Sequence, residues 1–168
     1  EASSGRPACG TMGSAHLSQD GGDRRMSFEL RPLEQGDFHR GFLDCLANLA
    51  PVDLTPDEAI RIWRGRNAAG VRTVVAADVQ GNVLGTASLI LEHKFIHKGG
   101  TIGHIEDVAV HPNHGGKGVG SAVVRALVEL ARQSGCYKVI LSCNDQNLAF
   151  YAKLGFRRHD NGMRIDLK

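Results

Sequence analysis

The sequence predicts an α/β domain of the α+β kind. Periods of two and of 3.6 in the apolar residues succeed each other in the order β-α-α-β-β-β-α-β-α-β-β. The most apolar strand, 103–110, runs into a polar glycine-rich loop and then into an amphipathic helix of about 17 residues. The length of 168 residues, 42% of them hydrophobic and 23% charged, fits one domain with a core of its own.

Each element has its own signal. Residues 27–33 (SFELRPL) alternate and read as a first strand. Asp37 is placed to cap a helix whose apolar face is Phe38, Phe42, Leu46 and Leu49. Thr55-Pro56-Asp57-Glu58 is a capping box with proline at the first helical position, so a second helix covers 56–68. Strands 72–78 and 83–92 form a hairpin across Gln80-Gly81-Asn82. Residues 93–102 read as a loop, and Pro112 ends the strand 103–110. Val119, Val123, Ala126, Leu127, Leu130 and Ala131 mark the long helix, which stops before Gly135. A strand over 137–143, a short helix over 147–154 and a last hairpin, 156–159 with 163–167, complete the chain.

The first 25 residues stand apart. They hold five of the 21 glycines and no Val, Ile or aromatic residue, so a disordered extension is expected there and the domain is read as 26–168. They contain no apolar stretch of the kind a signal peptide needs. A formal charge of +2 gives no case for nucleic acid as a partner, and no apolar run is long enough to cross a membrane. Cys9, Cys45, Cys136 and Cys143 form no C-x-x-C pair, so no metal is expected. Apolar neighbours around Cys45, Cys136 and Cys143 fit buried, reduced thiols and a cytoplasmic location.

Chemistry concentrates in residues 104–120, HIEDVAVHPNHGGKGVG. Backbone N–H groups at a helix start attract an anion, and glycines let it come close. Taken alone, the run marks a phosphate site or a flexible turn. It is neither a Walker loop nor a dinucleotide fingerprint, because G-x-x-x-x-G-K-[ST] is absent and the preceding strand carries Glu106-Asp107.

The same run resembles the acetyl-CoA-binding core of the GNAT N-acetyltransferase superfamily, whose loop follows [RQ]-x-x-G-x-[GA]. Gly118 and Gly120 match, while Gly115 stands where Arg or Gln is usual. Gly103-His104-Ile105-Glu106-Asp107, Gly135-Cys136-Tyr137-Lys138, Phe150-Tyr151 and Glu92-His93-Lys94-Phe95-Ile96-His97 narrow the resemblance to the glucosamine 6-phosphate N-acetyltransferases within it.

That resemblance implies a mixed, bent central sheet flanked by helices, with the cofactor where two central strands splay. It implies direct acetyl transfer from acetyl-CoA to the 2-amine of glucosamine 6-phosphate, in a homodimer with a shared substrate pocket. Glu106 would receive the ammonium proton, Asp107 would orient the sugar and Tyr151 would protonate the leaving thiolate. The acetyl-CoA site would comprise Val108, Ala109, Val110, Gly115, Gly116, Lys117, Gly118, Val119, Gly120, Ser121, Ser142, Asn147 and Tyr151. Ser142 replaces a carboxylate usual in the family. The sugar phosphate would meet Lys94, Phe95, Ile96, His97, Tyr137, Lys138 and Arg164, alongside Glu106, Asp107 and Val108. A GNAT enzyme acting on a polyamine, an antibiotic or a protein N-terminus is the alternative. Buried carboxylates are costly unless paired or used, which singles out Glu106 in its apolar strand.

Overall fold

The computed structural model describes residues 27–167. The extension expected over 1–25 lies outside the described residues, as does Cys9. Strands β1 (Glu29–Pro32), β2 (Arg72–Ala77), β3 (Val83–His93), β4 (Thr101–Val110) and β5 (Cys136–Ile140) form one sheet in the order β1-β2-β3-β4-β5. The helices are α1 (Phe42–Ala47), α2 (Pro56–Ala68), the single turn α3 (Ile96–Gly99), α4 (Val119–Gln133) and α5 (Leu148–Ala152).

The first four strands pair antiparallel, β1 and β2 across the segment that carries α1 and α2 and the next two pairs across short links, whereas α4 carries the chain back so that β5 joins β4 parallel. The sheet is therefore mixed. Its two faces bury separate cores. On one face Val119, Val123, Val124, Leu127 and Ala131 of α4 pack on Val74, Ala76, Leu84, Ala87, Leu89 and Ile105. On the other, Phe38, Phe42, Cys45, Ala59 and Ile60 pack on Val75, Val83 and Ala109, with Trp63 beside them. Each large aliphatic side chain buried this way contributes about 1.5–3 kcal/mol.

Several expected boundaries move. The helix predicted from Asp37 to Leu49 splits into a 3₁₀ turn, Gln35–His39, and α1, because Gly41 takes φ 91° between them. Asp37 does not cap α1. It is 1% exposed and accepts two bonds of 2.7 Å from the Arg31 guanidinium and one of 2.8 Å from the Glu34 N–H. β4 starts at Thr101 instead of 103, and β5 ends at Ile140 instead of 143. The last hairpin does not form: residues 156–167 carry no strand, and Met163, Ile165 and Leu167 face solvent. Their alternation signals a strand with one buried face, but no surface among the described residues receives it. Cys45 is buried as expected, whereas Cys136 is half-buried and Cys143 exposed.

Two irregularities in β4 shape the centre of the molecule. Pairing with β5 runs from Thr101↔Cys136 to His104↔Ile140 and then stops, so residues 105–110 keep β3 on one side and, among the described residues, have no strand on the other. Across the β3 side, Thr86 faces Ala109 and Ser88 faces Glu106, which leaves Asp107 and Val108 against Ala87 alone. This is a β-bulge. Asp107 adopts φ 54° in it, a left-handed conformation that aspartate tolerates better than most L-residues.

Candidate active site

A cleft of about 500 Å³ opens where β4 and β5 part. Its walls are the end of β4 (Val108, Val110), the glycine loop and first turn of α4 (His114, Gly116, Gly118, Val119, Gly120, Ser121) and α5 with its approach (Asn147, Phe150, Tyr151, Lys153). Gly118 caps α4 with φ 82° and no side-chain hydrogen bond, and the first helical bond is Ala122 N–H to Gly118 O at 3.0 Å. The N–H groups of residues 119–121 therefore lack intrahelical acceptors at the positive end of a 15-residue helix. A Cβ on Gly120 would lie 3.3 Å from Val110 and 3.5 Å from Phe150, so this turn sits close against both and a larger residue would press on Val110.

Tyr151 lines the cleft. It is 8% exposed, with its ring edge-on to Phe150 at 4.9 Å and to Phe156 at 5.9 Å. Burial pushes its phenol above the ordinary value, and a charge on Cys143 pushes in the same direction. His114 is held below the usual histidine range, first by burial and then by the charges of Lys117 and His111.

A second hollow of about 440 Å³ lies on the opposite face of the sheet, under α1, α2 and the connection between them. Its walls are apolar, and its floor presents Arg66, Thr73, Thr86, Ser88 and Asp107. Glu106, paired in register with Ser88, is directed to this face too. Glu106 and Asp107 are both exposed, which corrects the expectation of a buried carboxylate at 106. Solvation removes the cost that made it stand out in the sequence.

The loop before β4 gathers part of the predicted phosphate site. His97 stacks on Tyr137 at 4.9 Å, and Lys138 lies 5.9 Å from the same ring and 3.4 Å from His159 Nε2. Lys94 is engaged by Glu92, which also takes His104 Nε2 at 2.8 Å. Both contacts hold the Glu92 carboxyl below its ordinary range, that of Lys94 first. Phe95 and Ile96 are exposed, and Arg164 pairs with its neighbour Asp166 at 2.7 Å on the exposed tail.

The sequence pattern of the acetyltransferase (GNAT) family matches residues 32–156. The chain belongs to that family. Glucosamine 6-phosphate N-acetyltransferase of Trypanosoma brucei brucei is 42% identical over 145 residues, which are 84% of this chain and 97% of that one. Glucosamine 6-phosphate N-acetyltransferase 1 of Oryza sativa subsp. japonica is 41% identical over 146 residues, 84% of this chain and 88% of the relative. Among solved structures, glucosamine-6-phosphate N-acetyltransferase from Arabidopsis thaliana superposes with a TM-score of 0.80 at 33% identity, covering 84% of this chain and 99% of the other. A Trypanosoma brucei acetyltransferase gives 0.77 at 43% identity, covering 84% of this chain and all of the other.

The mixed five-stranded sheet with helices on both faces is thus the GNAT fold. Within this GNAT domain, nine residues expected at acetyl-CoA line one cleft: Val108, Val110, Gly116, Gly118, Val119, Gly120, Ser121, Asn147 and Tyr151. Four do not. Ala109 packs into the core on the other face, because the bulge reverses the alternation there. Lys117 turns back to donate to the Asn113 carbonyl at 2.9 Å. Gly115 and Ser142 are not among the lining residues. His114, Phe150 and Lys153 join the cleft unforeseen; Phe150 had a signal in its Phe-Tyr pair, while His114 and Lys153 had none in period or charge. No group of three or more His, Cys, Asp or Glu side chains gathers as a metal site among the described residues. No described helix is long and apolar enough to cross a membrane.

Proposed function

We propose that this protein transfers the acetyl group of acetyl-CoA to the 2-amine of glucosamine 6-phosphate, giving N-acetylglucosamine 6-phosphate and CoA. The observation that carries this reading is the 42% identity to an enzyme of that name over 97% of its length. The catalytic domain is read as residues 26–168, around the matched span 32–156.

Each need of the reaction has residues to meet it. The pyrophosphate of the cofactor calls for the unclaimed N–H groups at the start of α4, in the cleft that Gly116 and Gly118 shape. The amine must lose a proton before its nitrogen attacks the thioester carbonyl. Glu106 is the acceptor in this reading; its exposure gives it access to water as a relay. As the C–S bond breaks, the thiolate takes a proton from Tyr151, whose raised pKa keeps the phenol protonated until then. The Val108 N–H, in the bulge, is assigned to polarise the carbonyl oxygen. Asp107 orients the sugar. His97, Tyr137 and Lys138 form the phosphate end, with Lys94 beside them under the hold of Glu92.

The reading includes a homodimer with a shared pocket. The solvent-facing, alternating Met163, Ile165 and Leu167 and the exposed Phe95 and Ile96 support it as surfaces for a second copy. The reading also places the product in UDP-N-acetylglucosamine synthesis, and the free thiols fit a reducing cytoplasm. The deciding measurement is CoA release with glucosamine 6-phosphate, glucosamine and spermidine compared. Preference for the phosphosugar is expected, and release with spermidine but not with the phosphosugar overturns the reading.

A further inference from the structure

The geometry points to Arg66, in the last turn of α2, as the positioning residue for Asp107. One guanidinium nitrogen of Arg66, Nη2, donates to Asp107 Oδ2 at 3.2 Å and to Ser88 Oγ at 2.9 Å. Ser88 shares a hydrogen bond of 3.0 Å with Thr73 Oγ1, and these two residues are 2% and 8% exposed. The arginine head is thus anchored on a buried hydroxyl pair of β2 and β3 while it holds a carboxylate on β4. All four residues lie on the floor of the same hollow.

Asp107 needs such a hold. It sits in the bulge at φ 54°, a conformation that persists only where neighbours fix it. Its ladder partner is lost there, because two residues of β4 face one of β3. Nothing in the backbone ladder therefore fixes where its carboxylate points, and Arg66 is the cation that does. The side chains of the pair are 36% and 46% exposed, so solvent screens their attraction and little folding stability rests on it. Its consequence is orientation. A small displacement of an orienting group costs rate far out of proportion to its cost in stability.

The role rests on the proposed reaction, in which Asp107 holds the sugar. Arg66→Met keeps the aliphatic stem and removes the hold. The full chain is assayed for CoA release with glucosamine 6-phosphate. The variant is expected to lose about ten- to a hundredfold in kcat/KM for the sugar, with the KM for acetyl-CoA unchanged within about twofold. In an Asp107→Asn background the same change is expected to add less than about twofold, since the group it positions is already impaired. Ser88→Ala, which loosens the anchor without touching either charge, is expected to lower kcat/KM in the same direction by a smaller factor. It serves equally if Arg66→Met does not fold. Unchanged kcat/KM in the single variants, or a loss that simply multiplies in the Asp107→Asn background, overturns the role of Arg66 while leaving the reaction standing. Absence of release by the unmodified protein overturns the reaction, and the inference with it.

Discussion

Tyr151→Phe separates a chemical role from a packing role at one position, because it removes an oxygen and leaves the ring. The ring is fixed edge-on between Phe150 at 4.9 Å and Phe156 at 5.9 Å, contacts the variant retains. Tyr151 is 8% exposed and lines the cleft, and no buried polar side-chain atom among the described residues lacks a partner. Loss of the phenol oxygen strands no buried group, and the stability cost is expected to stay within about 1 kcal/mol. Loss of a general acid costs about 10²–10⁴ in rate, or about 3–5 kcal/mol of barrier. Steady-state CoA release should therefore show kcat down by at least about a hundredfold, with the KM for acetyl-CoA moved by less than about threefold. The alkaline side gives a second check. Burial raises the folded-state pKa above the ordinary value of 10.0, so the folded protein keeps this proton longer than the unfolded chain does. The resulting stabilisation is complete below that ordinary value and is lost as pH rises through the folded value. Urea titrations at increasing alkaline pH should show that decline in the parent and less of it in the variant. Unchanged kcat would remove the acid role outright. Reduced turnover that tracks a fall of several kcal/mol in stability would show the tyrosine to be a core residue and no more.

Two further outcomes follow from packing and burial. In Gly85→Ala the new methyl would lie 2.6 Å from Val119 Cγ1 and 3.0 Å from the Ala109 carbonyl, so Val119 at the start of α4 or the strand beneath it must shift. Stability should fall by about 1–3 kcal/mol in urea titrations, and the KM for acetyl-CoA should rise with it; an unaltered KM would place the anion site elsewhere than this turn. The Cys45 thiol is pushed up to about 12, first by burial and then by Asp44, so it stays protonated in the fold, and its stabilisation is lost as pH climbs from its ordinary 9.0 toward 12. Maleimide at neutral pH should label exposed Cys143 promptly and Cys45 only on unfolding, and equal labelling rates would refute the buried placement.

What the sequence made legible was what depends on local pattern. The capping box at Thr55 and Glu58 set the start of α2 to the residue, and the apolar stripe of α4 set that helix and the core beneath it. Signals failed where a non-local constraint decides. Gly41 breaks an otherwise continuous helical period, because the chain must turn there to return over Val83, whose N–H bonds to Arg40 O at 2.7 Å. The alternation of Met163, Ile165 and Leu167 is a strand signal that no strand among the described residues answers. At the site, the glycine loop was readable because its residues are consecutive. Arg66 was not, because it meets Asp107 and Ser88 from 41 and 22 positions away with no period to announce it. The face that Ala109 takes was not readable for a related reason. A bulge shifts the alternation by one residue, so strand period alone does not say which face each later side chain takes.

That bulge also explains why one strand serves two ligands. A regular β4 would carry Glu106 and Val108 on one face and would leave no break at which an acceptor from the α1–α2 side meets a cofactor from the α4–α5 side. Two residues set against Ala87 put Glu106 and Asp107 toward one hollow and Val108 and Val110 into the other cleft within five positions. The parting of β5 after Ile140 removes the strand that would otherwise wall the two off. On the proposed reaction, the amine and the thioester then approach from opposite faces of the sheet across this opening. The strain of a left-handed aspartate is the structural condition for that opening, which is why the arginine that steadies it belongs to the chemistry more than to the fold.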